Sequence, residues 1–184
     1  RRLDHDLWCR PERGTTGVQF FFGRTAFVGA MGGDRNAAAG DVAISVEHIG
    51  STAVPGLAAK PTIDILMVVG SIESFLEVLP QVEVLGFDHR SGSPSVGSDD
   101  HLFLRKVKDG KRTHHLHVVN AGSPEIGEYR RFRDALRRDS ALAADYEQVK
   151  IDLAAEYGAD RTRYVEAKSE WVSARLTSLP SAEP

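Results

Sequence analysis

The amino-acid sequence predicts an α+β protein, in which a mixed β-sheet is followed by a helical layer. Short runs of β-branched and aliphatic residues, separated by Gly- and Pro-containing turns, occupy residues 41–120. From residue 121 to residue 176 the apolar residues instead recur every three or four positions, which is the period of an amphipathic helix. Strands first and helices last, within 184 residues, indicate a single domain with helices packed on a sheet.

Composition and charge narrow the class of protein. Hydrophobic residues make up 41% and charged residues 27% of the chain, as in globular proteins. The formal net charge of -3 argues against nucleic acid as the main partner, because phosphate neutralisation requires a basic surface. Residues 18–33 are apolar in places, but Arg24 interrupts them, so no membrane span is expected. Cys9 is the only cysteine, which excludes an intrachain disulfide and favours a cytoplasmic location.

The first half of the sheet is predicted from two apolar runs. Residues 42–46 and 63–69 have the pattern of strands, and the second run is apolar enough to be buried on both faces. Ser71 is a suitable N-cap for a short helix that Pro80 ends or bends. Residues 82–87 are then expected to form another strand.

A hairpin completes the predicted sheet. Residues 102–107 and 113–119 are strand-like, and an Asp109-Gly110 pair lies between them. Because Asp-Gly favours the tight turns of antiparallel hairpins, the two strands are expected to pair with each other.

The helical layer begins at Ser123-Pro124-Glu125, which supplies a cap, a proline at the first position and an acid in the first turn. Three apolar series at helical spacing follow, and they are expected to face inward: Tyr129, Phe132 and Leu136; Leu142, Tyr146, Val149 and Leu153; and Tyr164, Ala167 and Trp171. Residues 1–40 show no clear period.

One segment, residues 48–66, carries most of the chemical information and reads HIGSTAVPGLAAKPTIDIL. Gly50 allows the backbone to approach an anion, and Ser51 and Thr52 offer hydroxyl and N–H donors. Asp64 on the following strand could hold Mg²⁺ on the same phosphates. The alternative is an ordinary strand-turn-strand with a solvated aspartate.

This segment resembles the central motif of the GrpB family (UPF0157), within the nucleotidyltransferase superfamily. Three further stretches match that family: residues 112–118, 132–134 and 166–169. The resemblance covers residues 41–176, and residues 1–40 match it poorly. It implies a nucleotidyltransferase-like mixed sheet with a C-terminal helical part. It also implies that the Gly50-Ser51 pair opens a helix whose N-terminus faces a triphosphate.

The resemblance further implies a metal-dependent site at Asp64, with Mg²⁺ or Mn²⁺ as the ion. Superfamily members place a second acid two residues after the first, on the same strand face, and Leu66 stands there in this chain. The two-metal form of phosphoryl transfer is therefore in question. His115 and His117 share one face of their strand. In the superfamily a third acid comes from a strand like this one, and His115 or His117 is expected to replace it, as a metal ligand or as a general base.

Further candidates surround these residues. His48 lies two positions before Gly50, and three imidazoles with one carboxylate would suit Zn²⁺, Mn²⁺ or Fe²⁺ better than Mg²⁺. Lys60 and Arg105 could neutralise phosphate charge, and Arg133 and Lys168 could reach the same cleft from the helical layer. A solvated or salt-bridged surface role is the alternative for each cation.

Three functions are compatible with these residues. The first is transfer of a nucleotidyl group from an NTP to a small-molecule or protein acceptor. The second is a non-catalytic nucleotide- or phosphate-binding module, since domains of this family are found fused to dephospho-CoA kinase. The third is metal-dependent phosphate hydrolysis based on the histidines. A fold that serves many functions does not choose among them.

Overall fold

The computed structural model describes residues 42–89 and 100–179, and the strands within them form one five-stranded mixed sheet. In chain order the strands are β1 (Ala43–Ile49), β2 (Ile63–Val69), β3 (Phe87–His89), β4 (His101–Lys108) and β5 (Lys111–Asn120). Their order in the sheet is β1-β2-β5-β4-β3. The central pair β2 and β5 is parallel, and the other neighbouring pairs are antiparallel.

Four α-helices of the described residues pack on the sheet or on one another. They are α1 (Ile72–Val84), α2 (Pro124–Arg138), α3 (Ser140–Tyr157) and α4 (Arg161–Ser178). Helix α1 packs on one face, where Phe75 and Val82 contact Met67 and Leu116 in a core of fully buried side chains. No described helix combines the length and apolarity needed to cross a membrane.

The second face of the sheet carries the helical layer. Leu66 and Val68 of β2 pack with Ile126 at the start of α2. Farther along α2, Leu136 joins a cluster with Tyr146 of α3, and the rings of Tyr146 and Trp171 stack with centroids 5.4 Å apart. Three helices are therefore held to one another and to the sheet by two small apolar cores.

Much of the predicted order of elements is confirmed. Strand β2 spans the predicted residues. The Asp109-Gly110 turn joins β4 to β5 as an antiparallel hairpin. The Ser71 side chain caps α1 by accepting from the amide of Ser74 at 3.1 Å. In the predicted series on α3, Tyr146 is buried and Leu142 packs against its cluster. The predicted segment 1–40 lies outside the described residues.

The strand expected at residues 82–87 is wrong. Helix α1 continues through Pro80 to Val84, and the strand that follows contains only Phe87–His89. Val82 extends the buried face formed by Phe75 and Val78 at helical spacing. Burial on that face outweighs the hydrogen bond lost at Pro80, whose side chain lies on the exposed side of the helix.

Candidate functional site

The parallel pairing of β2 and β5 places an acid beside an imidazole. The register aligns Asp64 with His115, and His115 Nδ1 lies 2.8 Å from Asp64 Oδ1. Since side chains alternate along a strand, Asp64, His115 and His117 face the helical layer, whereas Ile65 and Leu116 face α1.

Gly50 is packed directly against the Asp64 carboxylate. The chain leaves β1 at Gly50 with φ 72, a left-handed conformation that favours glycine. A Cβ atom at this position would lie 2.9 Å from Asp64 Cγ and closer still to Oδ2. Only a residue without a side chain therefore lets the backbone pass this close to the acid.

The helix expected after Gly50-Ser51 is wrong. Residues Ser51–Ala53 form a single 3-10 turn, which is too short to present a helix dipole to a phosphate. Thr52 is used to hold the turn: its Oγ1 donates to the carbonyl of Thr62 at 3.2 Å and lies 2.9 Å from His48 Nε2.

A cavity of about 400 Å³ opens between the sheet and the helical layer. Gly50, Ser51, Asp64, His115 and His117 all line it, so the structure brings these predicted residues together. Arg133 and Lys168 line it from the helical side.

Four other predicted residues do not line the cavity. The register pairs His48 with Ile65, which places its side chain on the α1 face. Lys60 lies over the ring of Tyr164, 5.8 Å from the centroid, and Arg105 Nε is 3.7 Å from Asp88. Thr52 is part of the 3-10 turn, and its hydroxyl donates to the carbonyl of Thr62.

The predicted four-ligand metal site is not formed. Within residues 42–89 and 100–179, no three His, Cys, Asp or Glu side chains are arranged to hold a metal ion. The physical reason is strand alternation, which turns His48 away from Asp64, and the hydrogen bond that occupies His115 Nδ1 and Asp64 Oδ1.

Electrostatics fix the charge of the acid and one imidazole. Burial by itself raises the pKa of Asp64, but the His115 hydrogen bond and the nearby positive charge, including Lys168, hold that pKa below its usual value. Burial lowers the pKa of His117 to about 3. At neutral pH the site therefore contains an ionised aspartate and a neutral His117.

Sequence reasoning missed a buried histidine beside the site. His101 is 3% exposed, and its two ring nitrogens lie 2.7 Å from Glu125 Oε2 and 3.1 Å from His117 Nδ1. The hydroxyl of Tyr129 lies 3.3 Å from the same His117 nitrogen. Extending the hairpin register from Asp109-Gly110 would have paired His101 with Val118, on the opposite face. A register shift between Lys106 and Val107 pairs His101 with Val119 instead, on the face of His117.

It also missed Lys150 of α3, which is 4% exposed. Its Nζ donates to Ser51 Oγ at 3.1 Å and to the carbonyl of Ala58 at 2.6 Å. Burial lowers the pKa of Lys150 to about 8. The signal was available, because Lys150 lies four residues after Tyr146 on the apolar stripe of the helix.

Helix α2 is fixed against β1 and the 3-10 turn by three arginines one turn apart. Arg130 and Arg133 both bind the Glu47 carboxylate, and Arg137 Nε donates to the carbonyl of Ala53 at 2.9 Å. The helical wall of the cavity is therefore anchored to the strand that leads into Gly50.

Together these side chains form a cleft suited to an anion. Lys150 and Lys168 supply positive charge near Ser51 and Asp64, and Arg161 lines the cavity as well. Such cations would bind phosphate groups. Asp64 and the imidazoles could accept protons, or they could bind a cation that arrives with the ligand.

Comparisons with known proteins identify the chain's relatives. The profile of the GrpB protein family matches residues 32–177. The UPF0157 protein YqkA of Bacillus subtilis is 36% identical over 129 residues, which are 70% of this chain and 36% of that protein. The crystal structure of the conserved protein GrpB from Enterococcus faecalis matches with a TM-score of 0.66 at 33% identity, over 75% of this chain and 81% of that one.

A more distant relative is the dephospho-CoA kinase of Mycobacterium bovis, which is 30% identical over 155 residues and is matched over 38% of its length. The chain spans between 36% and 66% of the curated relatives it matches first. The similarity therefore concerns a shared domain rather than those proteins as wholes.

Proposed function

The chain belongs to the GrpB family, and we propose that it is a nucleotidyltransferase-like protein that binds an NTP in this cleft. In this proposal it transfers the nucleotidyl group to a small-molecule or protein acceptor. The observation that carries the proposal is the contact between Gly50 and the ionised Asp64, at the foot of a cavity that Lys168 and Ser51 also line.

The phosphate groups are proposed to lie along the Gly50-Ser51 turn. Lys150 Nζ donates a hydrogen bond to Ser51 Oγ. The positive charge of Lys168 favours lower pKa values for both Asp64 and Lys150. Charge neutralisation and fixed orientation at the α-phosphate would supply most of the rate enhancement.

The protein's own residues do not fit a resident pair of metal ions. Asp64 has one oxygen committed to His115, and the position of a second acid is occupied by Leu66, which is 0% exposed. In this proposal Mg²⁺ or Mn²⁺ is therefore part of the substrate and arrives bound to the triphosphate. Asp64 Oδ2 would be its protein ligand.

Binding of each of the four NTPs, with Mg²⁺ or Mn²⁺, tests this proposal through the melting temperature and calorimetry. A ligand of the folded state raises the melting temperature. Asp64→Asn keeps the size of the side chain but removes its charge, and we expect it to abolish metal-dependent binding.

Asp109→Asn is the matched control, because Asp109 lies in the hairpin turn and asparagine tolerates its left-handed backbone. Full NTP affinity in Asp64→Asn would contradict the proposal. Pyrophosphate release in the presence of candidate acceptors distinguishes transfer from binding alone, and phosphate release would indicate hydrolysis.

A non-catalytic nucleotide-binding module is the second candidate. The buried Leu66 favours it, since the acid pair that would orient two metal ions is absent. The similarity to dephospho-CoA kinase favours it too, because there the matched region is part of a larger protein. Saturable NTP binding without turnover, with every acceptor class offered, would support this candidate over the transferase.

A further inference from the structure

Three polar side chains form a hydrogen-bonded row that leads from the start of α2 to the cavity. Glu125 lies in the first turn of α2, His101 is buried in β4, and His117 lines the cavity from β5. The two contacts are 2.7 Å and 3.1 Å long. We call Glu125, His101 and His117 the relay.

The chemistry of donors and acceptors assigns the protons along this row. An ionised carboxylate only accepts, so His101 Nδ1 carries a proton and donates it to Glu125. The other nitrogen of a neutral imidazole is then an acceptor, so His101 Nε2 accepts from His117 Nδ1. His117 is left with a lone pair on Nε2, the ring nitrogen available to a ligand in the cavity.

We propose that His117 Nε2 accepts the proton of the hydroxyl group that receives the nucleotidyl group, and that Glu125 and His101 are positioning residues for it. This inference rests on the proposed function. It places the reactive hydroxyl of the acceptor at the end of the cavity formed by His117 and Tyr129, beside Phe103, whose ring centroid is 5.2 Å from that of His117.

In the transfer step, the acceptor oxygen forms a bond to the α-phosphorus as its proton moves to His117 Nε2. The bond from the α-phosphorus to the bridging oxygen breaks, and pyrophosphate leaves. Burial holds the pKa of His117 at about 3 in the protein alone, and the negative charge of the bound triphosphate raises it. The imidazolium, hydrogen-bonded through His101 to the Glu125 carboxylate, afterwards releases its proton to water.

His115 lies on the same strand face, and its hydrogen bond to Asp64 by itself favours a proton on the ring. A cation bound to Asp64 would repel that proton and make His115 the poorer acceptor. Its Nδ1 is bonded to Asp64, and its Nε2 is buried without a hydrogen-bond partner in the described part of the chain. His115 is therefore assigned to orienting Asp64, and the two histidines have different tasks.

The first test reads the tautomer and requires no substrate. In the full chain with ¹⁵N-labelled histidine, long-range ¹H–¹⁵N correlation at neutral pH shows which nitrogen of His117 is protonated. We expect Nδ1–H in the wild type. Glu125→Met removes the terminal acceptor and should give a mixture of tautomers, whereas Glu125→Gln keeps an acceptor oxygen and should retain Nδ1–H.

Glu73→Met is the matched control, because Glu73 is the first-turn acid of α1 as Glu125 is of α2. It removes the same favourable helix-dipole interaction without touching the relay. A wild-type His117 protonated on Nε2, or an unchanged tautomer in Glu125→Met, would overturn the proposal.

The second test uses turnover. We expect Glu125→Met to lower kcat about 10-fold or more with little change in KM for the NTP, and Glu125→Gln to restore much of it. Equal kcat in Glu125→Met and Glu73→Met would overturn the role of the relay while leaving nucleotide binding intact. Absence of NTP binding in a wild type with the expected tautomer would instead overturn the proposed function, and the acceptor role with it.

Discussion

Gly50 packs directly against the carboxylate of Asp64. A methyl group at position 50 would collide with that carboxylate, and φ 72 with ψ -170 is a backbone conformation nearly confined to glycine, unfavourable for alanine by about 1–3 kcal/mol. Gly50→Ala is therefore expected to lower the free energy of unfolding by at least that amount. It should also displace Asp64 and weaken NTP binding. Chemical denaturation and calorimetry measure the two effects.

Gly127→Ala is the control for this prediction. Gly127 lies within α2, and a Cβ there would meet nothing within 4 Å. Since alanine is the better helix former, we expect unchanged or higher stability, by up to about 1 kcal/mol. Equal behaviour of the two variants would show that the Gly50–Asp64 contact has no structural importance.

Lys150 makes stability depend on pH in the alkaline range. Burial lowers its pKa from 10.5 to about 8, and the surrounding charges of Glu147, Lys168 and Asp64 modify that shift. Between these values the unfolded chain binds more protons than the folded chain. The contribution of Lys150 to stability is therefore unfavourable below pH 8 and improves as the pH rises towards 10.5.

Relative to Lys150→Met, we expect the wild type to gain up to about 1.4 kcal/mol per pH unit in that window. Denaturant titrations at several pH values measure the difference in slope. Tyrosines with raised pKa values act in the opposite sense, but they are present in both proteins and cancel. Parallel curves would show that Lys150 titrates normally.

The site could be predicted from sequence where its residues lie on neighbouring strands. Strand alternation places His115 and His117 on one face, and the parallel register of β2 and β5 adds Asp64 to it. The register of β1 and β2 pairs Ile49 with Asp64 and so turns His48 to the opposite face, although the sequence motif groups His48 with the site. The apolar stripe of α3 indicates that Lys150 is buried, but its contacts with Ser51 and Ala58 depend on how whole elements pack. The register shift that turns His101 toward His117 is likewise not specified by short-range patterns.

At the scale of elements, α1 tolerates a proline in its ninth position. Pro80 lacks the N–H that would bond to the carbonyl of Leu76, and an interior proline costs a helix about 3 kcal/mol relative to alanine. The proline also restricts the unfolded chain, which offsets about 0.4–1 kcal/mol. We expect Pro80→Ala to raise the free energy of unfolding by about 2–2.6 kcal/mol, measured by denaturant titration.

Glu77→Ala provides the comparison, since Glu77 is also exposed on α1 and should change stability by less than about 0.5 kcal/mol. If Pro80→Ala were destabilising, the proline would have to make packing contacts that favour the present path of the chain into β3.

At the scale of the whole molecule, the order of elements was easier to predict than their bounds. The change from period two to period 3.6 marks the passage from sheet to helices, and turn residues mark the hairpin. Proline normally ends a helix, so the residues after Pro80 are predicted to form a strand. The apolar face of Phe75, Val78 and Val82 nevertheless continues past Pro80 at helical spacing. Burial against the sheet decided the outcome.

The cleft exists because the helical layer is held off the sheet at one end and packed onto it at the other. Leu66, Val68 and Ile126 form the packed end, and Asp64, one step before Leu66 on the same strand face, lies at the open end. Replacing Leu66 by aspartate would restore the acid pair of two-metal enzymes, but it would place the charge inside this small core.

We therefore expect Leu66→Asp to destabilise the fold by several kcal/mol at neutral pH, because an unpaired buried carboxylate loses its hydration. Burial would raise the pKa of the new acid, so the penalty should shrink as the pH falls and the carboxyl becomes protonated.

Leu66→Asn, similar in size but uncharged, should show a smaller loss of stability with no such pH dependence. Denaturant titrations at neutral and acidic pH measure both. Near-wild-type stability together with tighter Mn²⁺·NTP binding would show instead that position 66 opens to the cavity and that a second acid can be accommodated there.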